Sequence, residues 1–187
     1  MRYLLALLAT ILLSPLLSAA VVVPADDSRI LYTGRWDRTN PSEPWVYAKG
    51  TSVQAKFNGT SLYAILSATT NDYIRINIIE DDAVVRSEKI PIAYGTDSYE
   101  LATGLEDKTH KIEIVKETAF GRWTLLGFEL EDGKDLDPDP PARPGRKLVF
   151  YGDSNLAGDS LEHEQNKNQS GWSLAVKMQI CAAGLSI

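Results

Sequence analysis

The sequence lacks the residues from which disulfides and sulfur-ligated metal sites are built. Cys181 is the only cysteine among 187 residues, which excludes an intrachain disulfide and a cysteine-based metal site. Histidine is almost as scarce, with only His110 and His163 present. His163 stands between Glu162 and Glu164, but three adjacent side chains of an extended strand cannot all converge on one ion. We therefore expect neither a metal ion nor another cofactor.

Basic clusters and long apolar runs are also missing from the body of the chain. The net charge is −6, and without a basic cluster this balance argues against a nucleic-acid partner. After residue 20, no segment is apolar enough to span a membrane. Hydrophobic residues make up 44% of the chain, which suffices for one or two domains with a core.

Residues 1–20 have the pattern of a signal peptide. Arg2 supplies a positive start, Leu4 to Leu17 is almost wholly apolar, and small residues follow up to Ala20. The apolar core is short for a transmembrane anchor, which is the alternative interpretation. We expect cleavage after Ala20, secretion of a chain that starts near Val21, and no membrane association after cleavage.

From about residue 30 to residue 131 the hydrophobic pattern has a period of two. Val53, Ala55 and Phe57, for example, alternate with polar residues, as side chains do on the two faces of a half-buried strand. About nine short strands at ten-residue spacing predict an antiparallel β-sandwich. Asn58-Gly59 predicts a tight hairpin turn, and Asp81-Asp82 predicts another turn. We assign residues 21–133 to this sandwich domain.

Residues 134–146 differ from the sandwich in composition. Asp135, Asp137 and Asp139 alternate with prolines in this stretch. Proline locks the backbone and cannot pair in a central strand, so the stretch is predicted to be a semi-rigid linker between domains.

The segment Lys147–Asn155, read K-L-V-F-Y-G-D-S-N, predicts the start of a second domain. Leu148–Tyr151 is typical of a strand buried on both faces, and Gly152 then breaks the run. Ligands bind at the carboxyl end of such strands, so Ser154 is placed to act as a nucleophile. The G-x-S-x-G elbow of other hydrolases is excluded by Leu156. A Gly-Asp-Ser turn without chemistry is the alternative.

Gly152-Asp153-Ser154-Asn155 resembles the first motif block of the SGNH (GDSL-type) serine hydrolases. The earlier part resembles the jelly-roll module of carbohydrate esterase family two, which precedes an SGNH domain in that family. The segments that carry this second resemblance are Gly34–Asp37, Trp45, Thr51–Phe57, Gly59–Leu62, His110–Lys116 and Leu126–Leu130. The resemblance implies a mainly β fold, a jelly-roll β-sandwich followed by an incomplete α/β domain of SGNH type over residues 147–187.

The same resemblance implies a secreted esterase that removes acetyl groups from plant cell-wall polysaccharides or oligosaccharides. The resemblance implies that Ser154 is the nucleophile and that its backbone N–H is an oxyanion donor. It also implies that Asp153 supports the turn. Only 33 residues follow Ser154, and the later glycine, asparagine and histidine blocks have no counterpart in them. We therefore expect the 187-residue chain, as a fragment, to be inactive.

Two alternatives remain open from the residues. His163 lies nine residues after Ser154 and would be a local base. His110 falls in a predicted sandwich strand, where we expect it at a turn or an edge. Six aromatic residues would instead form a sugar-stacking platform of a non-catalytic carbohydrate-binding module, or simply pack in strands. These six are Trp36, Trp45, Trp123, Tyr32, Tyr47 and Tyr63.

Overall fold

The predicted β-sandwich is confirmed by the structure, a computed structural model that describes residues 20–118, 121–143 and 145. This part of the chain contains strands and no helix, and hence no helix that is long and apolar enough to cross a membrane. The strands are β1 (Val21–Pro24), β2 (Leu31–Thr33), β3 (Trp36–Asp37), β4 (Trp45–Val46), β5 (Ser52–Gly59), β6 (Leu62–Ala68), β7 (Asp72–Glu80), β8 (Ala83–Ile92), β9 (Gly95–Ala102), β10 (Lys108–Lys116) and β11 (Trp123–Leu130). The predicted SGNH part, residues 147–187, lies outside the described residues.

The strands form two antiparallel sheets. Sheet A has the order β3-β4-β11-β6-β9, and β1 pairs with the part of β11 that β4 leaves open. Sheet B has the order β2-β5-β10-β7-β8. Consecutive strands often fall in different sheets, so most neighbours in space are distant in sequence.

The core lies between the inner faces of the two sheets. Along β6, Leu62, Ala64 and Leu66 are buried and alternate with half-exposed residues, which is the pattern of a sheet with one face in the core. Trp123, Phe57 and Phe128 are among the largest side chains buried completely. The period-two pattern of the sequence therefore identified the core residues correctly.

The predicted hairpin at Asn58-Gly59 is wrong. β5 pairs with β10 in sheet B, whereas β6 pairs with β11 and β9 in sheet A. β5 stays paired with β10 as far as Gly59. The chain therefore crosses from sheet B to sheet A after Gly59 and does not fold back on β5. The turn at Asp81-Asp82 is confirmed, since Glu80 pairs with Ala83 and both aspartates have positive φ, as a type I′ turn requires.

The first residues of the segment predicted as a linker lie against the sandwich. Leu136 is buried and bridges to Phe57 of β5. The Asn58 N–H donates to Asp135 O at 3.1 Å, and the Asp137 N–H donates to Lys56 O at 2.9 Å. Residues 135–137 therefore occupy the edge of β5 beyond the end of β2.

A buried ion pair ties β7 to the end of β10. Lys116 Nζ lies 2.5 Å from Asp72 Oδ2, and both side chains are removed from solvent. Burial lowers the pKa of Lys116, and the Asp72 carboxylate opposes that shift. Paired charges are the form in which a buried lysine is tolerated.

Candidate functional site: an aromatic groove

The residues predicted to carry the ester chemistry, Ser154 and Asp153, lie outside the described residues, as does His163. His110 lies in β10 of sheet B, as predicted for a sandwich strand. The expected turn or edge position is wrong, because β10 pairs with β5 on one side and with β7 on the other. The His110 ring is buried, and Nε2 lies 2.8 Å from the Glu106 carbonyl oxygen. This placement gives His110 a role in packing the sheet.

A groove beside β3 and β4 is the candidate site in the described part of the chain. Its volume is about 590 Å³, within the size range of small-ligand sites. We call it the Trp45 groove; it is lined by Arg35, Trp36, Asp37, Arg38, Thr39, Trp45, Tyr47 and Ala48. The pairing of Asp37 with Trp45 puts these two side chains on the same face of sheet A.

Trp36 forms a fixed wall of the groove. Its ring packs edge-to-face against Tyr32 and Trp123, with ring centroids 4.9 and 5.1 Å away. Its indole N–H donates to the Ser52 carbonyl oxygen at 3.1 Å. Neighbouring residues hold both the ring and its indole N–H. Trp36 therefore shapes the groove rather than offering a free stacking surface.

Gly34 allows the chain to enter β3 at this point. Its φ is +92°, a conformation that side-chain-bearing residues rarely adopt, and an added Cβ would lie 3.0 Å from Thr51 Cγ2. Glycine is therefore required for the backbone to pass close to Thr51 and to direct Arg35 and Trp36 into the groove.

Trp45 and Tyr47 are the rings of the groove that face solvent. Trp45 is half-buried on the outer face of sheet A, and the Arg122 guanidinium lies 5.0 Å from its ring centroid. Tyr47 is 57% exposed. Aromatic rings with one open face stack on apolar ligand surfaces, so Tyr47 and the open side of Trp45 are the contact surfaces.

Charged groups surround these rings. Asp37 Oδ1 accepts the Thr39 N–H at 2.9 Å, and this hydrogen bond holds the pKa of Asp37 below its usual value. Arg38 lies over the Tyr32 ring at 4.8 Å from the centroid, and Arg35 also lines the groove. Aromatic faces beside a carboxylate and guanidinium groups suit a ligand with both C–H faces and hydroxyl groups.

The structure divides the six aromatic residues of the predicted platform. Trp36, Trp45 and Tyr47 share the Trp45 groove, whereas Tyr32 and Trp123 are buried in the core. The remaining residue, Tyr63, lines a separate groove on sheet A with Ser61, Ser98 and Glu129. The sequence therefore named the candidate aromatic residues, but it did not show which of them lie in the core and which lie at the surface.

Comparison with known proteins agrees with this fold. Two antiparallel sheets with this strand order form a jelly-roll β-sandwich, and solved carbohydrate esterases of family two share it. The enzyme from Cellvibrio japonicus matches with a TM-score of 0.71 at 21% identity, over 85% of this chain and 47% of that chain. The enzyme from Clostridium thermocellum in complex with cellohexaose matches with a TM-score of 0.61 at 25% identity, over 70% and 39%.

The sequence model described as carbohydrate esterase 2 N-terminal matches residues 32–140. The chain therefore belongs to this family, and the resemblance of its sandwich part to the jelly-roll module of carbohydrate esterase family two is confirmed. A curated relative is the cellulase/esterase CelE of Acetivibrio thermocellus, 28% identical over 134 residues. That match covers 69% of this chain and 15% of CelE, so the chain spans only a small part of this relative.

Proposed function

We propose that the chain is the N-terminal part of a secreted carbohydrate esterase that removes acetyl groups from plant cell-wall polysaccharides or their fragments. One observation carries the proposal. A sandwich of the carbohydrate esterase 2 N-terminal family over residues 32–140 is followed by Gly152-Asp153-Ser154-Asn155, in the order that the SGNH resemblance implies. The signal-like residues 1–20 favour export of the chain.

In this proposal Ser154 carries out the chemistry in two steps. Its Oγ attacks the acetyl carbonyl carbon and the bond to the sugar oxygen breaks, giving an acyl-enzyme that water then hydrolyses to acetate. The Ser154 backbone N–H stabilises the negative charge that develops on the carbonyl oxygen, while Asp153 supports the turn. In this class of enzyme a histidine takes the hydroxyl proton of the serine and passes it to the departing sugar oxygen, which leaves as the alcohol.

The esterase proposal is tested on the open reading frame that encodes these residues together with any in-frame continuation. Acetate release from acetylated xylan is expected to disappear in Ser154→Ala and to persist in Ser160→Ala, a nearby serine that serves as the control. Full activity of Ser154→Ala would contradict the proposal. For the 187 residues alone we expect no turnover of an acetylated chromogenic ester, and Ser154-dependent turnover would overturn that expectation.

The Trp45 groove supports a second function, binding of a polysaccharide by the sandwich itself. The observation in its favour is the open Tyr47 ring, 57% exposed, beside Trp45 and the charged residues of the groove. Affinity electrophoresis on soluble xylan or glucomannan is the test. We expect the unmodified chain to be retarded and Tyr47→Ala to lose this retardation. The control is Tyr94→Ala, at another exposed tyrosine (75% exposed), which should be retarded as much as the unmodified chain.

Lack of retardation in the unmodified chain would contradict polysaccharide binding by the groove. Equal retardation of the Tyr47→Ala and control variants would place binding elsewhere on the chain. Either result leaves the esterase proposal standing, because that proposal depends on Ser154.

A further inference from the structure

The Trp45 groove carries an excess of positive charge in an acidic protein. Arg35 and Arg38 line the groove, and the Arg122 guanidinium lies over the Trp45 ring. We call these three residues the groove arginines. Among the lining residues, all of them in the described part of the chain, Asp37 is the one carboxylate. The groove is therefore locally positive although the whole chain has a net charge of −6.

The groove arginines are not neutralised by neighbouring carboxylates. Within the described residues, none of them has a salt-bridge partner. Elsewhere in the sandwich, Arg29, Arg75 and Arg86 each pair with an aspartate or a glutamate. All three groove arginines are exposed, so their guanidinium N–H groups are available to a ligand.

Aromatic rings hold two of the groove arginines in place. The Arg38 guanidinium lies 4.8 Å from the centroid of the Tyr32 ring, and the Arg122 guanidinium lies 5.0 Å from that of the Trp45 ring. A cation–π contact orients a guanidinium without cancelling its charge. The two groups are thus positioned before an anion binds, which lowers the entropy lost on binding.

Asp37 does not take the place of such an anion. Its Oδ1 accepts the Thr39 N–H at 2.9 Å, and no salt bridge joins it to a groove arginine in the part of the chain that the structure describes. The hydrogen bond to Thr39 lowers the pKa of Asp37, and the Arg122 charge contributes less to this shift. Asp37 therefore stabilises its own turn and leaves the groove arginines unpaired.

The strand register sets two of the groove arginines beside Tyr47. The strands on both sides of β4, which are β3 and β11, pair with Val46, the residue before Tyr47. On each of these strands the residue that precedes the partner of Val46 is an arginine, Arg35 on one and Arg122 on the other. The next position of the same register brings them to opposite sides of Tyr47. A ring that is 57% exposed therefore lies between two cationic groups.

A sugar that carries a carboxylate matches this arrangement. The open Tyr47 ring can stack on the C–H face of a sugar ring, and the planar fork of a guanidinium fits the two oxygens of a carboxylate. We propose that the Trp45 groove binds an acidic glycan, whose uronic acid units present their carboxylates to Arg35 and Arg122. This inference rests on the polysaccharide binding proposed for the groove and adds the class of sugar.

A neutral glycan would not account for the groove arginines. Three exposed guanidinium groups around one groove repel one another, and an uncharged ligand leaves this repulsion in place. The carboxylate of a uronic acid compensates it. The resulting attraction is between exposed charges, so it should weaken as the salt concentration rises.

Calorimetric titration of the 187-residue chain with two matched polymers tests the proposal. One polymer is glucuronoxylan, and the other is the same glucuronoxylan after its carboxyl groups have been reduced to alcohols. We expect several-fold tighter binding of the acidic polymer at low salt. This preference should disappear at about 1 M salt, where the Debye length is about 3 Å.

Substitutions of the groove arginines locate the preference. Arg35→Gln and Arg122→Gln should each lower the affinity for glucuronoxylan several-fold and leave the affinity for the reduced polymer unchanged. Arg35→Lys keeps the charge but loses the planar fork, so its affinity should fall between those of Arg35→Gln and the unmodified chain. The matched control is Arg86→Gln, at an exposed arginine that pairs with Glu88, and it should bind both polymers as the unmodified chain does.

Equal affinity of the unmodified chain for the two polymers would overturn the proposal and leave polysaccharide binding by the groove standing. Absence of binding to either polymer would overturn both. Polyglutamate, an anion without sugar rings, tests for attraction by charge alone. Binding of polyglutamate as tight as that of glucuronoxylan, or full affinity of Tyr47→Ala for glucuronoxylan, would also overturn the proposal.

Discussion

Arg29 Nη1 lies 2.9 Å from Asp135 Oδ2, and the two residues are 106 positions apart in sequence. The same guanidinium nitrogen donates to the Leu136 carbonyl oxygen at 2.9 Å. The opposite side of the guanidinium holds Asp27 Oδ2 at 2.8 Å. One side chain thus connects the beginning of the sandwich to the segment that leaves it.

Arg29→Met should lower the free energy of unfolding by about 1–2 kcal/mol, because it removes charge-assisted hydrogen bonds to two carboxylates and a carbonyl. Urea denaturation of the full chain measures the change. Arg86→Met is the matched control, since its partner Glu88 and Arg86 itself are both about half exposed and such pairs contribute little. Equal effects of the two substitutions would contradict the role of Arg29.

The stability of the fold should fall at acidic pH in a way that depends on Arg29. Hydrogen bonds from Arg29 hold the pKa of Asp27 and the pKa of Asp135 below their usual values. The stabilisation is therefore complete above the ordinary aspartate pKa of about 4 and is lost as the pH falls through the lowered values. Thermal midpoints between pH 6 and pH 2 should converge for the unmodified chain and Arg29→Met, and parallel curves would refute this.

Substitutions of Trp36 and Tyr47 should have different effects on stability, although both residues line the Trp45 groove. Trp36→Ala should cost about 2–4 kcal/mol of stability, because its ring packs on Tyr32 and Trp123. Tyr47→Ala should change stability by less than about 0.5 kcal/mol, as surface substitutions do. Denaturation curves of the two variants give both values, and a large loss in Tyr47→Ala would show that Tyr47 is a packing residue.

Gly127→Ala should destabilise the sandwich by about 1–3 kcal/mol, within the range for overpacked sites. A Cβ at this position would lie 2.6 Å from the Val23 carbonyl oxygen, so β1 would have to move away from β11. The control is Gly145→Ala, where an added Cβ has nothing within 4 Å. Chemical denaturation of both variants checks the prediction, which is wrong if Gly127→Ala is as stable as the control.

Asn77→Ala should cost about 2–3 kcal/mol, because it removes a donor to a buried carboxylate and an acceptor for Ser87. Asn71→Ala is the exposed counterpart; its side chain accepts one hydrogen bond, from the Tyr94 N–H, and its loss should be well below that of Asn77. Thermal unfolding of the two variants at neutral pH compares them. Similar losses would mean that the buried hydrogen bonds of Asn77 contribute no more than an exposed one.

The parts of the fold that the sequence predicted are those set by neighbours along the chain. Alternation in β6 and the positive-φ turn at Asp81-Asp82 depend on a few consecutive residues. Asn58-Gly59 has the same local chemistry as a hairpin turn, but the next strand joins the other sheet, and only long-range pairing decides that. Local turn preference was overridden by tertiary structure.

Burial of polar residues was the other part that could not be predicted. Glu113 and Lys116 are charged, and charged residues of a strand usually face solvent, yet both are buried. Gln54 and Asn77 hydrogen-bond to Glu113, and Asp72 pairs with Lys116, all from strands distant in sequence. The aromatic residues show the same dependence, since Trp36 becomes a groove wall only when Tyr32 and Trp123 pack behind it. Composition identified the aromatic residues of the predicted platform but not which of them reach the surface.

The pairing of β1 with β11 protects an edge of sheet A. Val21 pairs with Leu130 and Pro24 pairs with Gly127, over the stretch of β11 that β4 leaves open. Without β1, this stretch would present unpaired backbone groups to which a strand of another chain could add.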